Sequence, residues 1–252
     1  MNTSATAPLI INQEDVEQGG KEYEDGIEDD FAYRNNVLQA TKAVRLGFIR
    51  KVYGLLSIQL FITVIVASVM MFTPPIKEFI HTNDWLMMVA MFGSLALLFA
   101  LFVKRRESPT NLILLAAFTV VQAYSVGVIC TFYSQAIVLE ALLLTLTVLA
   151  GLTLYTFQTK RDFSSMHSAL FAGLCILIVG GFLQIFIQSN VFELLIGLGG
   201  AFLFSLFIVF DTQMMMETLS PEEYILATIN LYMDIINLFI YILRILQAVN
   251  RQ

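Results

Sequence analysis

Charged residues are scarce in this sequence beyond its N-terminal segment. Only 13% of the 252 residues are charged, 58% are hydrophobic, and the mean hydropathy is +0.76. A chain so poor in charge and so rich in apolar side chains is not an ordinary soluble domain. The composition instead predicts an all-α protein whose helices cross a membrane several times.

Cysteine and histidine are also rare, with two residues of each type. Cys130 and Cys175 lie at or inside apolar stretches, so we interpret them as packing residues rather than as a disulfide. His81 and His167 lie at loop edges and are not predicted to bind a metal. The sequence has no phosphate-binding glycine loop, no nucleophile–base arrangement and no zinc-type spacing. We therefore expect no enzymatic activity, no cofactor and no nucleic-acid partner.

Acidic residues are concentrated in the N-terminal head, which we define as residues 1–40. Within it, residues 1–30 contain nine acidic residues and one basic residue, a formal charge of −8. The rest of the chain contains 11 acidic and 13 basic residues, a charge of +2. Because the head has few large apolar side chains, we expect it to be disordered. The remaining residues, 41–252, are predicted to form one transmembrane domain.

Seven apolar stretches have about the length of twenty residues that a helix needs to cross a bilayer. They cover residues 48–72, 85–103, 110–132, 136–157, 166–188, 192–215 and 223–244. Pro74 and Pro75 end the first stretch. Before the last stretch, Ser220, Pro221 and Glu223 have the pattern of an N-cap, a first-turn proline and a capping box.

Lysine and arginine residues alternate between the two sides of the predicted bundle, which indicates its orientation. Basic residues precede the first stretch and follow the second and the fourth, whereas the opposite loops contain only Lys77. This distribution places the N-terminus in the cytosol. The last stretch is less regular, since acidic residues precede it and Arg244 and Arg251 follow it. We predict seven crossings because residues 223–244 are uninterrupted, although the charges alone would favour a last segment that enters the membrane and returns.

Two aspartates interrupt the last two stretches, in Phe-Ile-Val-Phe-Asp211-Thr-Gln and Leu-Tyr-Met-Asp234-Ile-Ile-Asn. A carboxylate at the bilayer centre costs about 3 kcal/mol on insertion scales, so it is expected to face a partner or a water-filled cavity. From the helical rise, Asp211 would lie about 6 Å and Asp234 about 17 Å inside their helices, unless the sixth helix continues beyond Met215. If the carboxyl groups meet, they would share a proton, which a calcium ion could replace. Two carboxylates are too few for a tight calcium site, which favours transient binding.

A polar stripe runs along the last stretch, with residues spaced by four, three, four and three positions on one helical face. Its members are Asn230, Asp234, Asn237, Tyr241 and Arg244. Such a face inside a membrane is expected to point toward protein or water in the middle of a bundle. For the asparagines, an ion pathway and hydrogen bonding between helices both remain open. Asp234 can ionise, so we assign it to an ion pathway.

Six other charged residues are weaker candidates for the pathway or for a latch that holds it closed. They are Glu140, Glu193, Glu222, Lys104, Arg105 and Arg106. The helix dipole explains Glu193 equally well, and capping explains Glu222. The three basic residues are most simply orientation signals, although one of them could pair with Asp211 on the same side of the membrane.

The segments around the two aspartates resemble those of the Bax-inhibitor/Lifeguard family of seven-helix membrane proteins. The resemblance is carried by Phe210-Asp211-Thr212 and by residues 231–239, Leu-Tyr-Met-Asp-Ile-Ile-Asn-Leu-Phe, and it extends from about residue 27 to the end. It implies a fold in which the last helix is central and is wrapped by the other six. It also implies a calcium leak across Golgi or endoplasmic-reticulum membranes that lowers store calcium and inhibits apoptosis.

By the same resemblance, Asp211 and Asp234 would form a pH-sensing pair and the transient binding site of the transported calcium. Bacterial members of the family hold one aspartate with an arginine at the end of the second helix. The aligned residue here is Lys104, which cannot make the forked contact of a guanidinium group. The implied partners are membrane lipid, calcium ions and protons, together with apoptosis regulators or calcium-release receptors.

Two other functions are compatible with the sequence. A non-conducting membrane scaffold could bind apoptosis regulators, for example through the acidic head. An intramembrane aspartyl protease is a remote alternative, because such enzymes carry catalytic aspartates in consecutive late helices. The residues before Asp234 are Leu-Tyr-Met, however, so the Gly-x-Gly-Asp form of those enzymes is absent, as is a Pro-Ala-Leu motif.

Overall fold

The computed structural model describes residues 42–159 and 161–251, so the acidic head lies outside the described residues. This part of the chain contains helices and no strands, which confirms the predicted all-α class. The eight helices are α1 Lys42–Phe72, α2 Pro74–Thr82, α3 Trp85–Lys104, α4 Thr110–Cys130, α5 Gln135–Gln158, α6 His167–Phe186, α7 Asn190–Glu217 and α8 Tyr224–Asn250. Single 3₁₀ turns, Ser164–Met166 and Pro221–Glu223, precede α6 and α8.

Seven of these helices are long and apolar enough to cross a membrane, as predicted. The exception is α2, a nine-residue helix between the first two spans that the sequence analysis did not predict. Pro74 ends α1 as expected, because proline cannot continue a helix, but proline is tolerated in a first turn and therefore also begins α2. Two late helices run further than predicted, α7 to Glu217 and α8 to Asn250.

The last helix is the most buried span, which confirms its predicted central position. In α8, 67% of the most apolar stretch is buried, against 44% or less in the other six spans. It packs most extensively on α7 and also contacts α1, α5 and α4. The outer helices α3 and α6 pack mainly on α4 and α7. The buried hydrophobic core therefore forms around α8.

The two ends of α8 lie at opposite ends of the bundle. Glu223, just before α8, contacts Arg105 and Arg106 after α3, and we call this the basic end. Arg251, just after α8, contacts Glu193 at the start of α7, 3.6 Å away. A continuous helix of 27 residues is about 40 Å long at 1.5 Å per residue, enough to cross a bilayer. The last segment therefore crosses once and does not turn back.

The start of α8 departs from the predicted capping box. Ser220 accepts a hydrogen bond from the backbone N–H of Glu222 at 3.5 Å, and Pro221 lies in the first turn, as expected. The carboxylate of Glu223 does not close the box, because it accepts a hydrogen bond from Arg106 at 2.8 Å. A guanidinium group is a stronger donor to a carboxylate than a neutral backbone amide.

Candidate functional site

Asp211 and Asp234 meet between α7 and α8. Their carboxyl groups are close enough to form a hydrogen bond with each other. Both side chains are buried, with 8% and 6% of their surface exposed. The extension of α7 to Glu217 contributes to this contact, because it places Asp211 about 9 Å from the helix end rather than about 6 Å. The structure thus brings together two residues whose contact the sequence left open.

The aspartate pair has few other polar partners. No lysine, arginine or histidine of residues 42–159 and 161–251 forms an ion pair with either carboxylate. Asp234 Oδ2 is buried and accepts no hydrogen bond from a backbone, hydroxyl, amide or amino group of these residues. His167, at the start of α6, is close enough to Asp211 to act on its charge. Two buried carboxylates without a paired cation cannot both be ionised at low cost, so the geometry suits a shared proton or a bound cation.

The polar stripe of α8 faces α7 at the pair and again near the opposite end. The ring of Tyr241 covers Gly200 so closely that a Cβ atom there would overlap it. The same ring stacks on Phe204 with centroids 5.7 Å apart. Because Asp234 and Tyr241 are seven residues apart, they lie on the same helical face. This face points toward protein, as the sequence predicted.

The other members of the stripe make local contacts. The side-chain amide of Asn237 donates to the carbonyl of Met233 in its own helix at 2.8 Å, so it does not bridge two helices. Asn230 and Arg244 are half-buried. The guanidinium group of Arg244 lies 5.6 Å from the ring centroid of Tyr241. Their assignment to an ion pathway remains a prediction.

The weaker acidic candidates lie away from the aspartate pair. Glu140 is exposed on the outside of α5. Glu193 lies in the first turn of α7 and pairs with Arg251 at the end opposite the basic end. Glu222 is exposed, whereas its neighbour Glu223 makes the contacts with the basic residues. The sequence pattern predicts only a capping role for Glu223.

The three basic residues after α3 do not reach the aspartates. Lys104 forms an exposed pair with Glu107 at 2.8 Å. Arg105 and Arg106 contact Glu223 at 3.2 Å and 2.8 Å. The pairing with Asp211 that the sequence allowed is not formed. Glu223 lies at the end of the bundle with these side chains, whereas Asp211 lies deeper, where a guanidinium group would have to leave water.

A cavity near Asp211, lined by both polar and apolar side chains, was not predicted. The side-chain carbonyl of Gln213 accepts from Phe163 N at 2.9 Å, and its amide donates to Arg161 O at 3.0 Å. These bonds hold the α5–α6 connection against α7. A cavity of about 190 Å³ lies beside it, lined by His167, Phe210, Gln213, Met214, Glu217 and Thr218. The sequence feature that could have indicated this group is the spacing of four between Gln213 and Glu217, which places both polar side chains on one face of α7.

A second unpredicted group lies on another face of α8. Tyr232 is fully buried, and its hydroxyl shares a hydrogen bond with that of Thr63 at 2.8 Å. On the same helix as Thr63, the amide of Gln59 donates to Thr119 at 2.8 Å. These bonds tie α8 to α1 and α1 to α4. Tyr232 lies two positions before Asp234 and hence points to a different side of the helix.

The pair is poorly suited to a permanently bound metal ion. Among the residues that the structure describes, no group of three or more histidine, cysteine, aspartate or glutamate side chains could hold a metal. Calcium prefers about six to eight oxygen ligands, and Asp211 and Asp234 supply at most four. The remaining ligands of a calcium ion here would have to be water or backbone carbonyls. The site is therefore compatible with a transient cation.

Comparison with known proteins gives consistent matches along the chain. The family described as "Inhibitor of apoptosis-promoting Bax1" matches residues 45–251. Protein lifeguard 4 of Mus musculus is 45% identical over 226 residues, which cover 90% of this chain and 95% of the relative. The Golgi anti-apoptotic protein of vaccinia virus strain Lister is 42% identical with the same coverage. Bax inhibitor 1 of Schizosaccharomyces pombe is 37% identical over 219 residues, or 86% and 82% of the two chains.

Proposed function

Because this chain belongs to the family of inhibitors of apoptosis-promoting Bax1, we propose that it inhibits apoptosis as a pH-modulated calcium leak channel. Its proposed location is the membrane of the Golgi or of the endoplasmic reticulum, with the N-terminus in the cytosol. A slow leak would lower the calcium held in that store and so limit later calcium release. The anti-apoptotic names of the relatives support the cellular role, and the seven spans support a multi-pass membrane protein.

The buried contact between Asp211 and Asp234 is the observation that carries this proposal. A protein that needs only a stable core would gain little from two adjacent carboxyl groups in an apolar bundle, because each loses its hydration there. A divalent cation can neutralise both carboxylates, and one proton can bridge them. In this proposal, protons and calcium therefore compete for the same carboxylate oxygens, which makes the leak depend on pH.

Two features on either side of the pair support a route through the bundle. The cavity beside Gln213, whose lining includes the polar side chains of His167 and Glu217, lies within two helical turns of Asp211, toward the basic end. Beyond Asp234, the stripe of α8 continues with Asn237 and Tyr241. The Tyr241 ring fills the space over Gly200, and we infer that the structure represents a closed arrangement.

The proposal is tested by reconstituting the purified full-length chain into liposomes that contain a calcium-sensitive dye. Asp211→Asn and Asp234→Asn each remove one charged ligand. A hydrogen bond to a charged group is worth about 1.5–3 kcal/mol, so the initial calcium flux should fall about tenfold or more. Glu140→Gln is the matched control, because it removes an exposed carboxylate from the outside of α5 and should leave the flux unchanged.

The possible outcomes separate the two parts of the proposal. A wild-type protein that passes no calcium would show that the chain is not a leak channel. If the wild-type protein passes calcium and neither aspartate substitution changes the flux, the pair is not part of the ion pathway.

A further inference from the structure

An ion cluster at the basic end is not part of the proposed ion pathway. The carboxylate of Glu223 contacts Arg105 at 3.2 Å and Arg106 at 2.8 Å. The side chain of Glu223 is 13% exposed, that of Arg105 is 26% exposed and that of Arg106 is 59% exposed. In the same loop, the side chains of the Lys104–Glu107 pair are 45% and 57% exposed. Water screens a shielded ion pair less than an exposed one, so the contact between Glu223 and Arg105 is the less screened, whereas Arg106 approaches the same carboxylate from the solvent side.

The residue after Glu223 is held by two further elements. Asn111, buried in the first turn of α4, donates through Nδ2 to the carbonyl of Arg105 at 3.0 Å and to the hydroxyl of Tyr224 at 3.1 Å. The ammonium group of Lys51, on α1, lies 3.3 Å from the ring centroid of Tyr224. Cation–π contacts of this kind add to the attachment. The first residues of the central helix are therefore fixed by α1, by α4 and by the α3–α4 connection.

We propose that Glu223, Arg105 and Arg106 form a positioning clamp that fixes the start of α8 and thereby keeps Asp234 in contact with Asp211. This proposal rests on the proposed function in one respect, which is that the clamp sets the rate of the calcium leak. Glu223 precedes Asp234 by eleven residues, about 17 Å of helix. Because α8 is uninterrupted from Tyr224, the residue after Glu223, to Asp234, a displacement of its first turn is transmitted to the aspartate.

The connection between α7 and α8 makes the clamp act on both aspartates. Only residues 218–220 separate the end of α7 from the turn that contains Glu223. The clamp therefore joins the α7–α8 hairpin to the α3–α4 hairpin at one point. Without the carboxylate of Glu223, Arg105 and Arg106 are two adjacent like charges with no shared counter-ion there. The charge attraction that draws the α3–α4 connection to the α7–α8 hairpin at this point would then be lost.

The test compares Glu223→Gln with Glu107→Gln in the full-length chain. Both substitutions remove one carboxylate that is paired with the same basic segment, but Glu107 pairs with Lys104 of its own hairpin, whereas Glu223 joins two hairpins. We expect Glu223→Gln to raise the initial calcium leak about fivefold and to accelerate amide hydrogen exchange in residues 224–234. Glu107→Gln should change neither quantity. Glu223→Asp retains the charge, so it should stay close to wild type in both measurements.

A charge reversal distinguishes positioning from a general loss of stability. In the triple variant Arg105→Glu, Arg106→Glu and Glu223→Arg, the opposite charges are restored in reversed order, so leak and exchange should return toward wild type. The clamp is refuted if Glu223→Gln leaves the exchange unchanged, or if Glu107→Gln has an equal effect. If wild-type protein passes no calcium, the proposed function fails, but the exchange measurements still decide whether the clamp holds α8.

Discussion

At the scale of the residue, the central feature is one contact between two carboxyl groups inside an apolar bundle. Asp211 and Asp234 are separated by 22 residues that include the end of one span and the start of the next. Neither is paired with a basic side chain among the residues that the structure describes. The contact is compatible with a bound proton or a bound cation, and these two ligands exclude each other. In the proposed channel, a dependence on pH would follow from this competition.

The competition predicts the direction of the pH effect on calcium binding. At low pH the carboxyl groups are protonated, so calcium has to displace a proton, whereas at high pH the oxygens are free and negative. The calcium concentration that gives half-maximal leak should therefore be higher at about pH 6 than at about pH 8. This half-maximal concentration is obtained at each pH from the initial fluxes of the reconstituted protein over a range of calcium concentrations.

The same titration on Asp234→Asn provides the comparison. The asparagine side chain does not titrate in this range. The half-maximal calcium concentrations at the two pH values should therefore differ less in this variant than in wild type. The Glu140→Gln control should keep the wild-type difference. A wild-type protein whose half-maximal calcium concentration is independent of pH would contradict competition at the pair.

At the scale of the element, the contact between α7 and α8 depends on glycines, which have no side chain, as much as on polar residues. Gly200 lies under the ring of Tyr241, and a Cβ atom at Gly197 would come 2.9 Å from Cγ1 of Ile245. Glycines allow two membrane helices to approach closely, since dispersion contacts replace the hydrophobic effect as the driving force for association. This close approach helps to bring the carboxyl group of Asp234 within reach of Asp211.

A substitution at Gly200 tests this packing. In Gly200→Ala the new Cβ would overlap the Tyr241 ring, so we expect a destabilisation of about 1–3 kcal/mol. Thermal unfolding of the purified protein in detergent measures it as a lower Tm. Gly151→Ala, on the exposed face of α5 with no atom within 4 Å of the added Cβ, is the control. The Tm of Gly151→Ala should equal or exceed that of wild type, because alanine stabilises a helix by about 1 kcal/mol relative to glycine. Equal Tm values for Gly200→Ala and wild type would contradict a tight α7–α8 contact.

At the scale of the whole molecule, the number of crossings is odd. The N-terminal end of the first span and the C-terminal end of the last span therefore lie on opposite sides of the membrane. The single crossing of α8, with Glu223 and Arg251 at opposite ends of the bundle, completes this arrangement. The arginines and lysines near the basic end favour the cytosolic side. In the proposed channel and with this predicted orientation, calcium from the organelle would leave at the end that contains the Glu223 cluster.

A glycosylation reporter checks this topology in cells. An acceptor tag at the C-terminus should face the lumen and be modified, whereas the same tag at the N-terminus should stay unmodified. The natural Asn2-Thr3-Ser4 triplet provides an internal control, since it should remain unmodified in the untagged protein. Enzymatic deglycosylation followed by electrophoresis reports each state. Modification of both tagged termini, or of the N-terminal tag alone, would overturn the predicted orientation.

The sequence by itself determined the helices that cross the membrane and the residues that are unusual within them. Both follow from local physical chemistry, because stretches of about twenty apolar residues can satisfy their backbone only as helices in lipid. For the same reason, Asp211, Asp234 and the polar stripe of α8 stand out from their apolar surroundings. The short helix α2 was missed, since nine residues after two prolines have too weak a pattern to predict a helix.

Only the tertiary structure decided which of these residues meet. The tilt, depth and rotation of each helix determine whether Asp211 reaches Asp234, and no local pattern specifies them. The same holds for Glu223, which capping rules assigned to its own helix but which binds Arg105 and Arg106 from a different hairpin. A partly shielded carboxylate binds the strongest hydrogen-bond donors within reach, here two guanidinium groups. Whether these donors are within reach of Glu223 depends on how helices that are far apart in the sequence pack together.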